Sequence, residues 1–179
     1  MNRKFSLLLL VVLALLLIGA SLSAAASDRT VVIGFTASRQ GKYNVRSTRQ
    51  INGLNLWLNQ VNDAGGITLS DGTVITFTTV SYDDESATDR VQELYTRLAT
   101  DDNADFLISP YSSGLTDASA VVAEQYNKIM ITTGAASDST YQKGFTLVFQ
   151  TYACQPLSHR CARPARLSRR LCQTHCHRA

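Results

Sequence analysis

Four cysteines and three histidines are the side chains of this sequence best suited to chemistry, and all seven lie in its last 29 residues: Cys154, Cys161, Cys172, Cys176, His159, His175 and His177. Cys172, His175, Cys176 and His177 are close enough in sequence to offer tetrahedral N/S ligation to zinc. The Cys172-x3-Cys176 spacing lacks a properly spaced second pair, so the zinc signal is weak. Elsewhere the reactive groups are hydroxyls and carboxylates. Residues 110–116 (PYSSGLT) and 133–140 (TGAASDST) are dense in hydroxyls, small residues and glycine, and each leads toward a helix. Backbone N–H groups at a helix N-terminus are unpaired and the helix dipole favours negative charge, so a carboxylate or phosphate is the natural guest. Ser112, Ser113, Ser137 and Ser139 could also be plain N-caps, the commonest task of serine before a helix. Two polar loops at one sheet edge favour the ligand, because capping one helix needs no second loop facing it. Asp83, Asp84 and Glu85 could chelate a cation, but three successive side chains alternate in direction. They are expected to form a solvated turn that charges a helix N-terminus, and Asp101, Asp102 and Asp105 another polar turn.

Residues 1–150 contain no His, no Cys, no G-x-S-x-G elbow, no G-x-G-x-x-G after the first strand and no Walker lysine. Binding without chemistry is what remains: not an enzyme, with no catalytic residue, no metal ligand and no cofactor. The contrasting expectation is a metal-binding or enzymatic α/β domain that uses the C-terminal Cys and His.

The 179 residues, 45% hydrophobic and 17% charged, suffice for one ordinary domain. The net charge of +3 is a sum over unlike parts. Residues 1–150 hold all 14 acidic residues against 11 Lys and Arg, net −3, whereas the last 29 hold six Arg and no acid. At the N-terminus, Arg3 and Lys4 precede the apolar residues 7–18, and Ala24 and Ala26 satisfy an A-x-A site. This is the pattern of a secretory signal peptide over residues 1–26, although residues 7–26 approach the length of an uncleaved anchor. The body, residues 27–152, is thus expected to work outside the cytoplasm, periplasmic or extracellular.

Strand and helix alternate along that body. Residues 31–35 (VVIGF) form a β-branched apolar run suited to a strand buried on both faces. Ile51, Leu54, Leu58 and Val61 follow at helical spacing, with Trp57 assigned to the same core stripe and Gly65-Gly66 as the stop. Residues 73–81 (TVITFTTVS) make the next strand, then a helix with apolar Val91, Leu94, Tyr95 and Leu98, then a strand over 105–109. A helix over 115–126, a strand over 128–132 and a further strand over 145–150 complete the series. Strands separated by helices of a dozen residues build βαβ units, and right-handed crossovers make them a doubly wound parallel sheet, fold class α/β. Ligands of such sheets bind beyond the carboxyl ends of the strands, where strand order reverses. The loops there are residues 36–45 (TASRQGKYNV), 110–116 and 133–140. Tyr43 in the first of them would wall an apolar ligand or cover a helix edge.

In order along the chain, VVIGFTAS, NGLNLWLNQVNDAGGI, YDDES, VQELYTRLATDDNADFLISPYSSGLT and KIMITTGAASDST resemble the periplasmic solute-binding proteins of ABC transporters, of the branched-chain amino-acid type. The resemblance spans roughly residues 30–152. It implies the first part of the N-terminal lobe of a two-lobed fold that closes on its ligand by hinge bending, without the second lobe. It further implies a small-molecule ligand, an amino acid or related amide, and a membrane permease as partner, with no nucleic acid. Carried onto this sequence, the grip on the α-amino and α-carboxylate groups falls on Ser112, Ser113, Ala135, Ala136 and Ser137. Ser113 resembles the hydroxyl and N–H donor to the carboxylate, Ala135 the carbonyl partner of the ammonium, and Ser137 a hydroxyl where the family often has Thr. Tyr43 resembles the aromatic wall of the side-chain pocket. A single lobe would leave one side of the ligand uncovered, so weak affinity is expected.

From Ala153 the pattern stops: ACQPLSHRCARPARLSRRLCQTHCHRA has no apolar periodicity and no acid. Residues 153–179 could be a metal site, a basic tail for nucleic acid or anionic lipid, or translation in a shifted frame. Moving permitted codons by one base yields ASRYLTGALDLLASADAYAKRIATV, a Leu-rich amphipathic helix and a strand-like end, which is what a doubly wound lobe should present next. The shifted frame is the expectation adopted, to be decided by the coding DNA around Thr151.

Overall fold

A computed structural model describes residues 28–151. The proposed leader and the Cys, His and Arg-rich tail lie outside the described residues. Strand β1 (Arg29–Ala37) is the apolar run found in the sequence, extended at both ends, and every residue from Ile33 to Ala37 is buried. It pairs with β3 (Val74–Asp83) on one side and β4 (Phe106–Ile108) on the other, both parallel. Strands β5 (Ile129–Thr132) and β6 (Val148–Gln150) continue the parallel sheet, and the two-residue β2 (Ile67–Thr68) adds an antiparallel edge to β3. The order is β2-β3-β1-β4-β5-β6, an α/β sheet of mostly parallel strands that forms a single partial lobe.

Alternation along β1 assigns each helix to a face. Helix α1 (Asn44–Asp63) packs on the Phe35 and Ala37 face, with Ser47, Ile51 and Phe35 around one cleft. Helices α2 (Thr88–Thr100) and α3 (Ser113–Gln125) lie side by side on the other face. There Gly34 admits α2 and β4 so closely that a Cβ would stand 2.9 Å from the Ala104 methyl and 3.2 Å from Leu98. The core of this face joins Val91, Tyr95 and Leu98 of α2 with Leu107, Met130, Val148 and the α3 residues Leu115, Ala118 and Val122. Burying each large side chain contributes roughly 1.5–3 kcal/mol.

Helix α1 ends as its sequence suggested. The Gly66 N–H donates to the Val61 carbonyl and the Gly65 N–H to that of Asn62, with Gly65 at φ 91° and Gly66 at φ 88°. This is the Schellman closure that favours glycine. A Cβ at Gly66 would also meet the Ile75 carbonyl oxygen at 2.4 Å.

Three expectations need correction. Trp57 is not core: it is 40% exposed and lies against the Phe77 ring at 5.0 Å between centroids. The stripe centres on Leu58, and the neighbouring position is rotated by about 100° to the rim of the sheet. The acidic turn is not wholly solvated, because Asp84 is fully buried while Asp83 and Glu85 stay nearer the surface. Asp105 is more than a polar turn: its carboxylate accepts from the Val32 N–H at 2.8 Å and pairs with Arg29 at 2.9 Å, prolonging the contact of β1 with β4. The short β2 and a 3-10 turn over Asp138–Lys143 were not foreseen.

Candidate functional site

Strand β1 stays with β3 as far as Ala37 and Asp83 but leaves β4 after Phe35 and Ile108. The chain crosses from β1 to β3 over one face and from β3 to β4 over the other, so strand order reverses between β1 and β4. A crevice opens there at the carboxyl ends, the place where open α/β sheets bind ligands. Three loops rim it, leading from β1 to α1, from β4 to α3 and from β5 to the 3-10 turn.

Ser112 is the N-cap of α3. Its Oγ accepts from the Leu115 N–H at 3.3 Å, and its backbone sits at φ 95°, a conformation that costs a non-glycine residue about 1–3 kcal/mol. The capping expectation therefore holds for Ser112. It does not hold for Ser137, whose Oγ lies 2.8 Å from the Ser139 Oγ and caps nothing. Ser113, in the first turn, serves two loops at once. Its Oγ accepts from the N–H groups of Ala136 and Ser137 at 3.3 and 3.2 Å, docking the β5 loop onto the start of α3. Both bonds use the acceptor capacity of the Ser113 hydroxyl and leave its proton available for donation, beside the first-turn N–H groups of Ser113 and Gly114 that a helix leaves unpaired.

Ala135 is fully buried, and its carbonyl accepts from the Tyr141 hydroxyl at 3.4 Å and the Gln150 amide at 3.3 Å. Tyr141 and Gln150 were not anticipated as neighbours of the site. Gln150 stands at the carboxyl end of β6, and Tyr141 sits in the 3-10 turn within reach of Thr132 at 2.7 Å.

Tyr43 meets Tyr111 edge to face, with centroids 5.9 Å apart. A hydrogen bond with the Ser112 side chain lowers the Tyr43 phenol from its ordinary value against the opposing effect of burial, and the nearby Lys42 charge, 4.8 Å from the ring, works in the same direction as Ser112. Arg46 donates to the Tyr111 hydroxyl at 3.1 Å. Tyr43, Ser112, Ser113, Ala135, Ala136 and Ser137 are thus brought to one end of the sheet through direct contacts between their loops. The open cleft lined by Ser38, Arg39, Ser47 and Ser81, about 200 Å³ in volume, lies beside them on the α1 face and includes none of the six.

Beneath the crevice runs a polar network that sequence reasoning missed. Asp84 accepts from the hydroxyls of Thr36 at 2.7 Å and Ser38 at 2.5 Å and from the Ser86 N–H at 2.9 Å. Asp83, further out, is pushed up by desolvation, but the N–H groups of Glu85 and Arg39, the Gln40 amide and the Arg39 charge outweigh this and leave it below the usual carboxylate range. Among the described residues, no group of three or more His, Cys, Asp or Glu is placed to hold a metal ion, and no helix is long and apolar enough to cross a membrane.

A parallel lobe with its polar loops gathered at the switch point is the build of a ligand-binding α/β domain. The family model for periplasmic binding proteins matches residues 30–158, and the chain belongs to that family, whose members are extracytoplasmic solute-binding components of ABC transporters and not enzymes. Among solved structures, the chain is similar to the branched-chain amino acid transporter substrate-binding protein LivJ of Streptococcus pneumoniae in complex with isoleucine. The identity is 29% and the TM-score 0.61, over 68% of this chain and 33% of that one. It is also similar to an ABC-type branched-chain amino acid transporter protein of Rhodopseudomonas palustris, at 25% identity and TM-score 0.59 over 68% and 32% of the two chains. For the leucine-binding protein LivK of Thermotoga maritima, 17% identity and a TM-score of 0.61 over 74% and 35% show a shared fold. The chain spans about a third of the length of these relatives.

Proposed function

We propose that this chain carries the ligand-gripping lobe of an amino-acid-binding protein, made with a cleaved leader over residues 1–26, that serves an ABC transporter permease. The ligand is a branched-chain amino acid or a related small zwitterion. The arrangement around Ser113 carries this reading: a hydroxyl whose acceptor capacity is already used by Ala136 and Ser137 and the first-turn N–H groups of Ser113 and Gly114 stand together at the crevice edge, where a carboxylate would complete them. The Tyr43 and Tyr111 rings beside them offer an apolar wall for an aliphatic side chain. The isoleucine complex of the LivJ protein, similar at 29% identity, supports the ligand class.

Titration of the 15N-labelled chain with L-leucine tests this reading. The amides of Ser113, Ala136 and Ser137 should shift, with a dissociation constant in the millimolar range because one lobe covers one side of the ligand. Isopentylamine, which is leucine without its carboxylate, should leave them unmoved. No shift with leucine, or an equal shift with the amine, would reject the carboxylate grip.

A further inference from the structure

The divergence of β1 from β4 leaves main-chain groups to satisfy, and a side chain from the opposite layer supplies them. Tyr95 of α2 is fully buried, and its hydroxyl reaches up between the two strands. It donates to the carbonyl of Ile108, the last β4 residue paired with β1, at 2.5 Å. It accepts from the N–H of Thr36, the first β1 residue beyond that pairing, at 3.4 Å. An unpaired buried N–H or carbonyl is costly, and two strands with unmet groups on facing edges tend to close on each other. A hydroxyl has one donor and acceptor capacity, which matches one carbonyl and one N–H. The Thr36 hydroxyl donates to Asp84, which also takes the Ser38 hydroxyl, while the Ser38 N–H donates to Ser47 Oγ at 2.9 Å. The start of the loop that carries Tyr43 is therefore tied to the same buried chain of hydrogen bonds.

We propose that Tyr95 is a positioning residue whose hydroxyl acts as a molecular spacer, holding β1 and β4 apart at the switch point and so fixing the distance between the Tyr43 loop and the Ser113 turn. Its consequence for ligand affinity rests on the solute-binding reading above; its consequence for the strands does not.

The test compares Y95F with V91A in the 15N-labelled full chain. V91A trims the same helix on its buried side without removing the hydroxyl. In Y95F the Thr36 amide should exchange with solvent roughly tenfold faster than in the wild type while Ile33 and Leu107 keep their protection, and leucine affinity read from the Ser113 and Ser137 amides should fall roughly fivefold, the scale of one lost hydrogen bond. V91A should lower thermal stability yet leave both the Thr36-to-Ile33 exchange ratio and the affinity unchanged. Unaltered Thr36 exchange in Y95F overturns the spacer. An equal affinity loss in the two variants overturns the positioning role and makes Tyr95 an ordinary core residue. A wild type that shows no leucine-dependent shift rejects the solute-binding reading, while Thr36 exchange still decides the spacer.

Discussion

The two faces of the sheet are unequally covered. On one, α2 and α3 close over Leu107 and Met130, both 0% exposed. On the other, α1 lies over β1 and β3 and buries only Ser47 and Leu58 of its own residues. Beyond it, Phe106, Ile129 and Phe149 stand 36%, 37% and 51% exposed. Register makes them a continuous apolar surface, since Phe106 is opposite Ile129 and Ile131 is opposite Phe149. Strands with apolar residues on both faces belong to sheets covered on both faces. Among the described residues, half of this sheet has the composition of a doubly covered sheet and the exposure of a singly covered one.

The comparison makes its largest prediction for a pair of strand residues of similar chemistry. L107A, on the covered face, should destabilise by about 4 kcal/mol, through lost transfer energy and a cavity that α2 and α3 cannot refill. I129A, on the open face, should cost under ~1 kcal/mol. Urea unfolding of both variants measures the ratio, and equal losses would mean that something covers the open face in solution.

The covered side should also be sensitive to its buried polar groups. D84A removes the acceptor of two hydroxyls and one N–H in a site with no exposure. The hydroxyls can turn to other partners but the Ser86 N–H cannot, so a loss of about 3 kcal/mol is expected. S113A is milder. It strands the N–H groups of Ala136 and Ser137 at a half-buried edge, where water can replace the hydroxyl, and should cost about 1 kcal/mol. Because the same change frees the β5 loop, leucine-induced shifts at Ser137 should vanish even though the fold survives.

How much of this the sequence disclosed depends on whether one residue's neighbours or a distant partner decides its place. The parallel strands, the three helices and the Gly65-Gly66 stop follow from local spacing, and they appear within a few residues of the expected bounds. The unequal covering does not, because IMIT reads as a doubly buried strand whether or not a helix lies over Ile129. Trp57 shares a helical stripe with Leu58 yet sits at the rim, since α1 rests on few strands. Asp84 looked like one of three solvated acids; its burial depends on Thr36 and Ser38, more than forty residues away in sequence and adjacent only once β1 and β3 pair. Within the candidate site, the resemblance gathered Ser113 and Ser137 into one place, but not the bond between Ser113 and the next loop, nor the hold of Gln150 on Ala135.

The smallest predicted effect concerns a carboxylate that fastens the last strand to the covered side. Glu124, in the final turn of α3, accepts from the Thr146 hydroxyl at 2.6 Å and from the N–H groups of Thr146 and Leu147 at 2.9 and 3.0 Å. The Thr146 hydroxyl and N–H, followed by the Leu147 N–H, lower its carboxyl below the usual value against a smaller opposing effect of burial. A carboxyl lowered on folding adds stability that is fully present above its unfolded value and fades as pH falls through its folded one. The wild type should therefore lose thermal stability below about pH 4.5, the ordinary glutamate value, and E124Q should lose less over the same interval. Asp83 is lowered in the same sense, so the difference between wild type and E124Q, not the wild-type slope, isolates Glu124. Solvent screening at this partly exposed site limits the effect to a few tenths of a kcal/mol. Among the described residues no carboxylate fastens β6 on the open face in this way, and F149S there should change neither the acid slope nor the midpoint while it improves solubility; a shared response would mean that the two faces unfold as one body with no difference in their hold on β6.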